Sequence, residues 1–273
     1  MTQKVWLITG ASRGFGNIWA KAALARGDKV AATARKIGAL DDLKQAYGEA
    51  FLPLALDVTD REAVFAAVNQ AQQHFGRLDV VLSNAGFGYM AAVEEAEMAD
   101  VRATFETNVF GTLSVIQAAL PIMRAQGGGH ILAVSSVAGL VAMPTSGIYE
   151  AAKFAVEGMA EALAAEVAQF GIHVTIIEPG GYATDFLSGS SMKTAPALAA
   201  YDPLRAELAA MLTADQLGVP EASAPAILQV VDAPNPPLRL ILGDLLPLVK
   251  EVYAKRIETW EAWDDVSRAA LGK

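Results

Sequence analysis

Thr9-Gly10-Ala11-Ser12-Arg13-Gly14-Phe15-Gly16 is the stretch on which the reading of this chain turns. An apolar run, Val5-Trp6-Leu7-Ile8, precedes it and reads as a buried strand. An alanine-rich segment, Asn17 to Arg26, follows it and reads as a helix closed by Gly27. Strand, glycine turn and helix form the setting of a phosphate-binding loop. Glycines let the backbone turn sharply and approach an anion closely. The helix start offers unpaired N–H groups and the positive end of its dipole. The spacing is G-x-x-x-G-x-G, which meets the common dinucleotide fingerprint only loosely. Gly10-Ala11-Ser12-Arg13-Gly14 also fits G-x-S-x-G, the nucleophile elbow of serine hydrolases, with Ser12 as the nucleophile. The loop alone leaves nucleotide, hydrolase and ligand-free turn open.

The bulk numbers narrow the field. At 273 residues the chain suits one large α/β domain spanning 1–273. Its 53% hydrophobic content fits a sheet covered on both faces. A net charge of −9, from 21 basic and 30 acidic side chains, argues against a nucleic-acid partner. Cysteine is absent, which excludes disulfides and thiolate metal sites; no metal is expected. No secretory signal is visible. The longest uncharged stretch, Ala125 to Tyr149, is broken by glycines, serines and Pro144 and does not read as a membrane span. A soluble cytoplasmic protein is the expectation.

Strand-like and helix-like segments alternate along the chain. Strands are expected at Val5–Ile8, Lys29–Thr33, Phe51–Leu56, Leu78–Ser83, His130–Ser135, Ile172–Glu178 and Leu238–Leu242. Helices are expected between them, including one capped by Asp60 and two long ones, Val101–Arg124 and Tyr149–Phe170. Residues 187–225 loosen into helical pieces that read equally as a candidate lid over the site or as an ordinary pair of packing helices. Leu245 to about Ala270 reads as a final amphipathic helix carrying Trp260 and Trp263. The alternation predicts a Rossmann-like, doubly wound parallel sheet of about seven strands with helices on both faces. Ligands of such sheets bind beyond the carboxyl ends of the strands, so the residues following each strand carry the argument.

The second strand ends at Thr33-Ala34-Arg35. An acidic side chain in this region would bond the adenosine ribose hydroxyls; Ala34 followed by Arg35 suits a 2′-phosphate instead. Arg13 in the loop supplies a second cation, and the pair favours NADP over NAD. Asp57-Val58 ends the third strand, where the carboxylate could accept the adenine amino group or simply cap a turn. Asn84-Ala85-Gly86 follows the fourth strand and would let a flat ring pass close to the backbone. Tyr149 and Lys153 are four apart, on one helical face. An ammonium beside a phenol is expected to lower the phenol pKa from about 10, making Tyr149 an acid or base nearer neutrality. Ser136, just past the fifth strand, could hold a carbonyl oxygen within reach of the tyrosine.

Together these motifs resemble the short-chain dehydrogenase/reductase family. The matching residues are Thr9-Gly10-x-x-x-Gly14-x-Gly16, Asp57-Val58, Asn84-Ala85-Gly86, Asn108, Ser136, Tyr149-x-x-x-Lys153 and Pro179-Gly180, in the family's order across residues 4 to 186. The resemblance implies hydride transfer between a nicotinamide and a carbonyl or alcohol carbon. It implies that Tyr149 protonates the carbonyl oxygen and that Ser136 hydrogen-bonds it. Lys153 would bind the nicotinamide ribose and lower the tyrosine pKa, and Asn108 would hold a water linking Lys153 to solvent. Gly10, Ser12, Arg13, Gly14, Phe15 and Gly16 would face the cofactor, with Arg13 and Arg35 in the places that favour NADP(H). Thr184 would bond the carboxamide, and Pro179, Gly180 and Tyr182 would border the ring.

Two departures stand out. Ser83 replaces the first asparagine of the family's Asn-Asn-Ala-Gly, and Asn17-Ile18-Trp19 replaces small aliphatic residues, with Trp19 filling space against the sheet. Phe87, Val137, Met143, Ser146, Tyr182 and Leu187 would shape the substrate pocket. Most are apolar, which suggests a hydrophobic small-molecule ketone or alcohol as partner. Family members are often homodimers or homotetramers, with the two long helices as candidate interfaces. Two other readings were weighed. A hydrolase using Ser12 lacks an upstream oxyanion loop, and its candidate histidines are ill placed: His130 and His173 at strand starts, His74 closing a helix. A non-catalytic NADP-binding sensor is opposed by the intact Ser136, Tyr149, Lys153 and Asn108.

Overall fold

The computed structural model describes residues 2–184, 186, 191–211 and 217–272. Seven strands form one sheet: β1 (Val5–Ile8), β2 (Lys29–Ala34), β3 (Phe51–Ala55), β4 (Val80–Ser83), β6 (Gly129–Val134), β7 (Ile172–Pro179) and β9 (Arg239–Leu242). Their order is β3-β2-β1-β4-β6-β7-β9, and every neighbouring pair is parallel. The chain therefore winds outward in both directions from the β1–β4 junction, where such sheets open a crevice at their carboxyl edge. All four residues of β1 are buried, as a strand covered on both faces requires. Val5 and Leu7 pack with α3 (Arg61–Phe75), α5 (Thr112–Gln126) and α6 (Gly147–Val167). Trp6 and Ile8 face the opposite layer, with α1 (Gly14–Ala25) and α8 (Ala224–Asp232). Asp60 caps α3 as expected, accepting from Ala63 N at 2.9 Å.

Three sequence expectations are corrected. The helix expected over Val101–Arg124 is instead α4 (Met98–Phe105), a π-helical segment Glu106–Gly111, and α5. The wide turn accommodates two demands. Asn108 turns inward onto the Phe87 peptide, and Gly111 lies against Val58, where a Cβ would come within 2.8 Å of Val58 Cγ2. Second, a small parallel pair was not anticipated: β5 (Gly88–Met90) bonds β8 (Met192–Thr194). Three-residue strands are too short to show a period. Third, the final helix breaks at Trp263 into α9 (Leu246–Ala262) and α10 (Asp264–Ala269), and neither has a buried residue. Leu246, Tyr253, Ile257, Trp260 and Trp263 remain exposed.

The amino end of β6 makes a pH prediction. His130 is buried, with Nε2 2.9 Å from Thr175 Oγ1, while that hydroxyl donates to the Pro237 carbonyl at 2.7 Å. Burial first, then the charges of His173 and Lys4, pull the His130 pKa from its usual 6.5 to about 3. The folded protein thus keeps His130 neutral while the unfolded chain takes up a proton below its own pKa. This contribution to stability is full above pH 6.5 and is lost as pH falls toward 3. Roughly 2 kcal/mol should be lost by pH 5. Urea midpoints at pH 7.5 and 5 check it: His130→Gln should show a markedly smaller acid loss than the parent.

Candidate active site

A cleft of about 430 Å³ opens beyond the carboxyl ends of the strands. Its floor is knitted from the β1–α1 loop and the end of β4. Gly10 holds φ +68°, and a Cβ there would lie 2.8 Å from Ala85 Cα, so only glycine fits. Gly16 lets α1 close on the loop: a Cβ would meet Gly10 O at 2.5 Å and Asn84 Nδ2 at 2.6 Å. Asn84 Nδ2 donates to the carbonyls of Thr9 and Gly10 at 3.0 and 3.1 Å. Thr9 Oγ1 accepts from the backbone N–H groups of Asn84 and Ala85 at 3.0 and 3.1 Å. Asn84 thereby fixes the loop from below while Ala85 and Gly86 line the cleft. Ser83 also ties its strand inward: its hydroxyl reaches Thr112 Oγ1 at 3.2 Å, and Thr112 in turn donates to the Asn108 carbonyl at 3.0 Å.

Trp19 is more than filler. It is buried, stacks on Phe15 with ring centroids 4.8 Å apart, and donates from Nε1 to Ser223 Oγ at 2.8 Å. Tyr182 meets the same Phe15 edge-on at 5.1 Å. One side of the cleft is therefore an aromatic stack pinned to the chain around residue 223. Nothing local in Asn17-Ile18-Trp19 signals this, because its partner lies 204 residues away.

At the far end of the cleft stand Arg13, Thr33, Ala34, Arg35, Asp57 and Thr59. Arg13 Nη2 donates to Ser191 Oγ at 2.7 Å, joining the loop to the segment that carries β8. Asp57 Oδ1 accepts from Thr59 N and Oγ1 at 3.0 and 2.8 Å, an Asx-type turn. Of the two readings for Asp57, the turn is the one these bonds display. Val58, Gly14 and Ser12 also line the cleft.

At the near end, Ser136, Tyr149 and Lys153 converge with Pro179, Gly180, Tyr182 and Thr184. Ser136 Oγ accepts from Ala138 N at 3.1 Å and donates to Pro179 O at 3.2 Å. Lys153 Nζ donates to the Val134 carbonyl at 2.9 Å and stands 5.7 Å from the Tyr149 ring centre. Just before α6, Thr145 holds φ +68°, strained for a β-branched residue. Its carbonyl accepts from Ala91 N at 2.8 Å, which ties the start of the helix to β5.

The electrostatics correct one expectation. Burial dominates at Tyr149 and drives its pKa above the usual 10, with Ser136 opposing and Glu150 adding to the rise. The ammonium does not win, because burial also acts on Lys153 and pulls it down to about 8, against the charge of Glu157. At neutral pH Tyr149 is a phenol, the form that can give a proton.

Asn108 does not line the cleft. It is buried and lies behind the cleft wall, which Thr107 forms instead. Its Oδ1 accepts from Phe87 N at 3.0 Å and its Nδ2 donates to Phe87 O at 2.9 Å. These two bonds hold the side chain against Phe87. Among the expected pocket residues, Phe87, Val137 and Tyr182 line the cleft. Met143 and Ser146 do not. Met143 N and Ser146 Oγ bond Glu150 Oε1 at 2.6 and 2.7 Å, so both brace the start of α6. Leu187 lies outside the described residues. Phe186 was missed; its ring stands 5.7 Å from that of Tyr149 and lines the cleft. Its position two residues past Thr184 was the available signal.

The described part of the expected lid is anchored to the chain around residues 88–100. β8 pairs with β5, Lys193 bonds Asp100 at 2.8 Å, and Leu198 N and Arg205 both bond the buried Glu95. Arg205 and these backbone donors hold the Glu95 carboxyl at about 2. For the hydrolase reading, the cleft offers no histidine among the described residues that line it.

Comparison with known proteins agrees with this geometry. The family model described as short chain dehydrogenase matches residues 4–194. The chain is 42% identical over 266 residues to the oxidoreductase BOA17 of Botryotinia fuckeliana, covering 96% of each protein. It is 36% identical to a 3-ketodihydrosphingosine reductase of Bacteroides thetaiotaomicron, covering 93% of this chain and 92% of that one. The crystal structure of a short-chain dehydrogenase from Streptomyces avermitilis superposes with a TM-score of 0.91 at 36% identity, covering 98% of both chains. The chain belongs to the short-chain dehydrogenase/reductase family and is an oxidoreductase of that family.

Proposed function

We propose that this protein is an NADP(H)-dependent oxidoreductase interconverting a carbonyl and a secondary alcohol on a largely apolar small molecule. The observation that carries the reading is the convergence of Ser136, Tyr149 and Lys153 in the cleft that also contains the glycine loop. The loop fits a dinucleotide: Gly10 requires glycine, and Ala34 leaves no carboxylate to repel a 2′-phosphate while Arg13 and Arg35 flank that end. The nicotinamide, when bound, supplies or accepts the hydride. The chain supplies the rest. Tyr149 as a phenol gives its proton to the carbonyl oxygen in reduction. Ser136 orients that oxygen by a hydrogen bond from its hydroxyl. Lys153 places a positive charge beside the resulting phenolate. Asn108 acts at a distance, by fixing the Phe87 peptide in the cleft wall. Phe87, Val137, Tyr182 and Phe186 give the wall its apolar character, which suits a hydrophobic ketone. The keto-reducing relative supports the same substrate class.

A panel of apolar ketones and alcohols followed by NADPH absorbance tests the reading. Cofactor binding with no turnover of any member would favour a sensor instead. Cofactor choice has its own test. Arg35→Asp should reduce the preference for NADPH over NADH by about 10- to 100-fold, the worth of one charge-assisted bond to a phosphate. Fluorescence titration with both cofactors measures it. Equal affinities in the parent protein would remove the role assigned to Arg13 and Arg35.

A further inference from the structure

Behind Lys153, on the side away from the cleft, lies a charged cluster that the reaction as described does not use. Glu157 sits one turn beyond Lys153 on α6, and its side chain is 6% exposed. Glu178 on β7 is 1% exposed. Arg239 on β9 reaches both: its Nε is 3.1 Å from Glu157 Oε2 and 3.4 Å from Glu178 Oε1. Its Nη2 is 2.6 Å from Glu161 Oε2, an exposed carboxylate one turn further along α6. Three carboxyl groups thus share one guanidinium, and two of the three are buried.

The two buried carboxyls alone outnumber the guanidinium by one. Glu157 Oε1 and both Glu178 oxygens are buried without a hydrogen bond; the Arg239 contact to Glu178 Oε1 at 3.4 Å is an ion pair only. Two carboxylates facing each other cannot bond; with one proton between them they can. Burial and the neighbouring Glu157 charge push Glu178 up to about 8, so Glu178 is the partner that keeps the proton and donates it to Glu157. Burial raises Glu157 as well, but Ser135, Arg239 and the Glu178 proton all oppose that rise, so Glu157 is the partner that carries the negative charge. The groups around it are Lys153 and Glu161 on its own helix, Ser135 after β6, Glu178 on β7 and Arg239 on β9. Gly139 presses this cluster from the loop side, where a Cβ would lie 2.6 Å from Ser135 Oγ and 2.9 Å from Glu157 Cγ. Lys153 itself faces Tyr149 and the Val134 carbonyl, and Glu157 is the anion that opposes its loss of charge on burial.

We propose that Glu157 is a positioning residue of the site: its carboxylate, fixed by Arg239 and by a proton shared with Glu178, keeps the buried Lys153 in its ammonium form. The charge that Lys153 presents to Tyr149 is then set one turn further along the same face of α6, by side chains that do not themselves line the cleft. The use made of that charge rests on the function proposed above; the charge itself does not.

The test separates the two. In protein labelled with 15N-lysine and free of cofactor, the Nζ signal of Lys153 is titrated by NMR. Glu157→Gln should lower its midpoint by about one unit or more, the effect of removing a nearby opposite charge. Glu161→Gln, on the exposed carboxylate, should leave the midpoint nearly unchanged. Glu178→Gln should also leave it nearly unchanged, because an amide replaces an acid that is already neutral and still donates to Glu157. An unmoved midpoint in folded Glu157→Gln overturns the proposal. So does a midpoint that falls in Glu178→Gln, a result that can be read even if Glu157→Gln does not fold. With a substrate in hand, the alkaline limb of kcat/KM should move to lower pH in Glu157→Gln by the same amount. A shifted NMR midpoint with an unshifted limb upholds the charge-setting role and counts against the function assigned to Lys153.

Discussion

Tyr149→Phe is expected to lower turnover by on the order of 10²–10⁴-fold, the contribution of a positioned proton donor, while cofactor affinity stays within about threefold. The substitution removes one oxygen and keeps the ring, so the contact with Phe186 at 5.7 Å survives. Ser136 keeps its bonds to Ala138 N and Pro179 O, so the loop after β6 has no reason to collapse. Lys153 stays on the Val134 carbonyl. Single-turnover reduction with saturating NADPH isolates the chemical step, and fluorescence titration checks the cofactor. Activity within tenfold of the parent would show that another group gives the proton. Direction also matters. Burial holds Tyr149 as a phenol, which in the proposed function suits the reducing direction, where a proton must be given.

Trp19→Ala should destabilise the protein by about 3–5 kcal/mol, the usual cost of emptying a buried indole site. Trp19 is 1% exposed, so little of the lost volume can be recovered by solvent. Its Nε1 bond to Ser223 at 2.8 Å disappears, though Ser223 keeps its own donation to Pro220 O at 2.6 Å. The loss should reach the site as well. Phe15 loses its stacking partner and Tyr182 then has a less rigid edge to rest on, so cofactor affinity should weaken too. Trp19→Phe should recover most of the stability. Urea unfolding of the two variants measures both; a cost below about 1 kcal/mol for the alanine variant would mean that α1 and the Ser223 region collapse readily onto the gap.

Much of this was legible in order along the chain, because the signals were local. A four-residue apolar run before a glycine turn specifies a buried strand and a helix start without help from distant residues. Tyr149 and Lys153 share a helical face by spacing alone. Gly10 and Gly16 could be recognised as a loop, although the reason for each became visible only against Ala85 and Asn84. The failures share a different cause. Asn108 fits its motif by type, but its hold on Phe87, 21 residues away, is a tertiary contact that the motif does not reveal. Met143 and Ser146 sit close to Tyr149 in sequence but turn toward Glu150. The effect of Lys153 on Tyr149 was reasoned from charge alone; burial, which no spacing reveals, outweighed it.

The sequence by itself determined the alternation of strands and helices, the glycine loop, and the identities of Ser136, Tyr149 and Lys153, since each depends on residues within a few positions of one another. Only the tertiary structure decided which way the balance of charge falls at those residues. Proton affinity inside a fold depends on burial and on groups such as Glu157, Glu178 and Arg239, which three separate elements bring together from across the chain. It also decided the fate of the opening loop. Arg13 bonds Ser191 across 178 residues and Phe15 rests on Trp19, so the loop that begins the cleft is completed by the segment that follows its last catalytic strand.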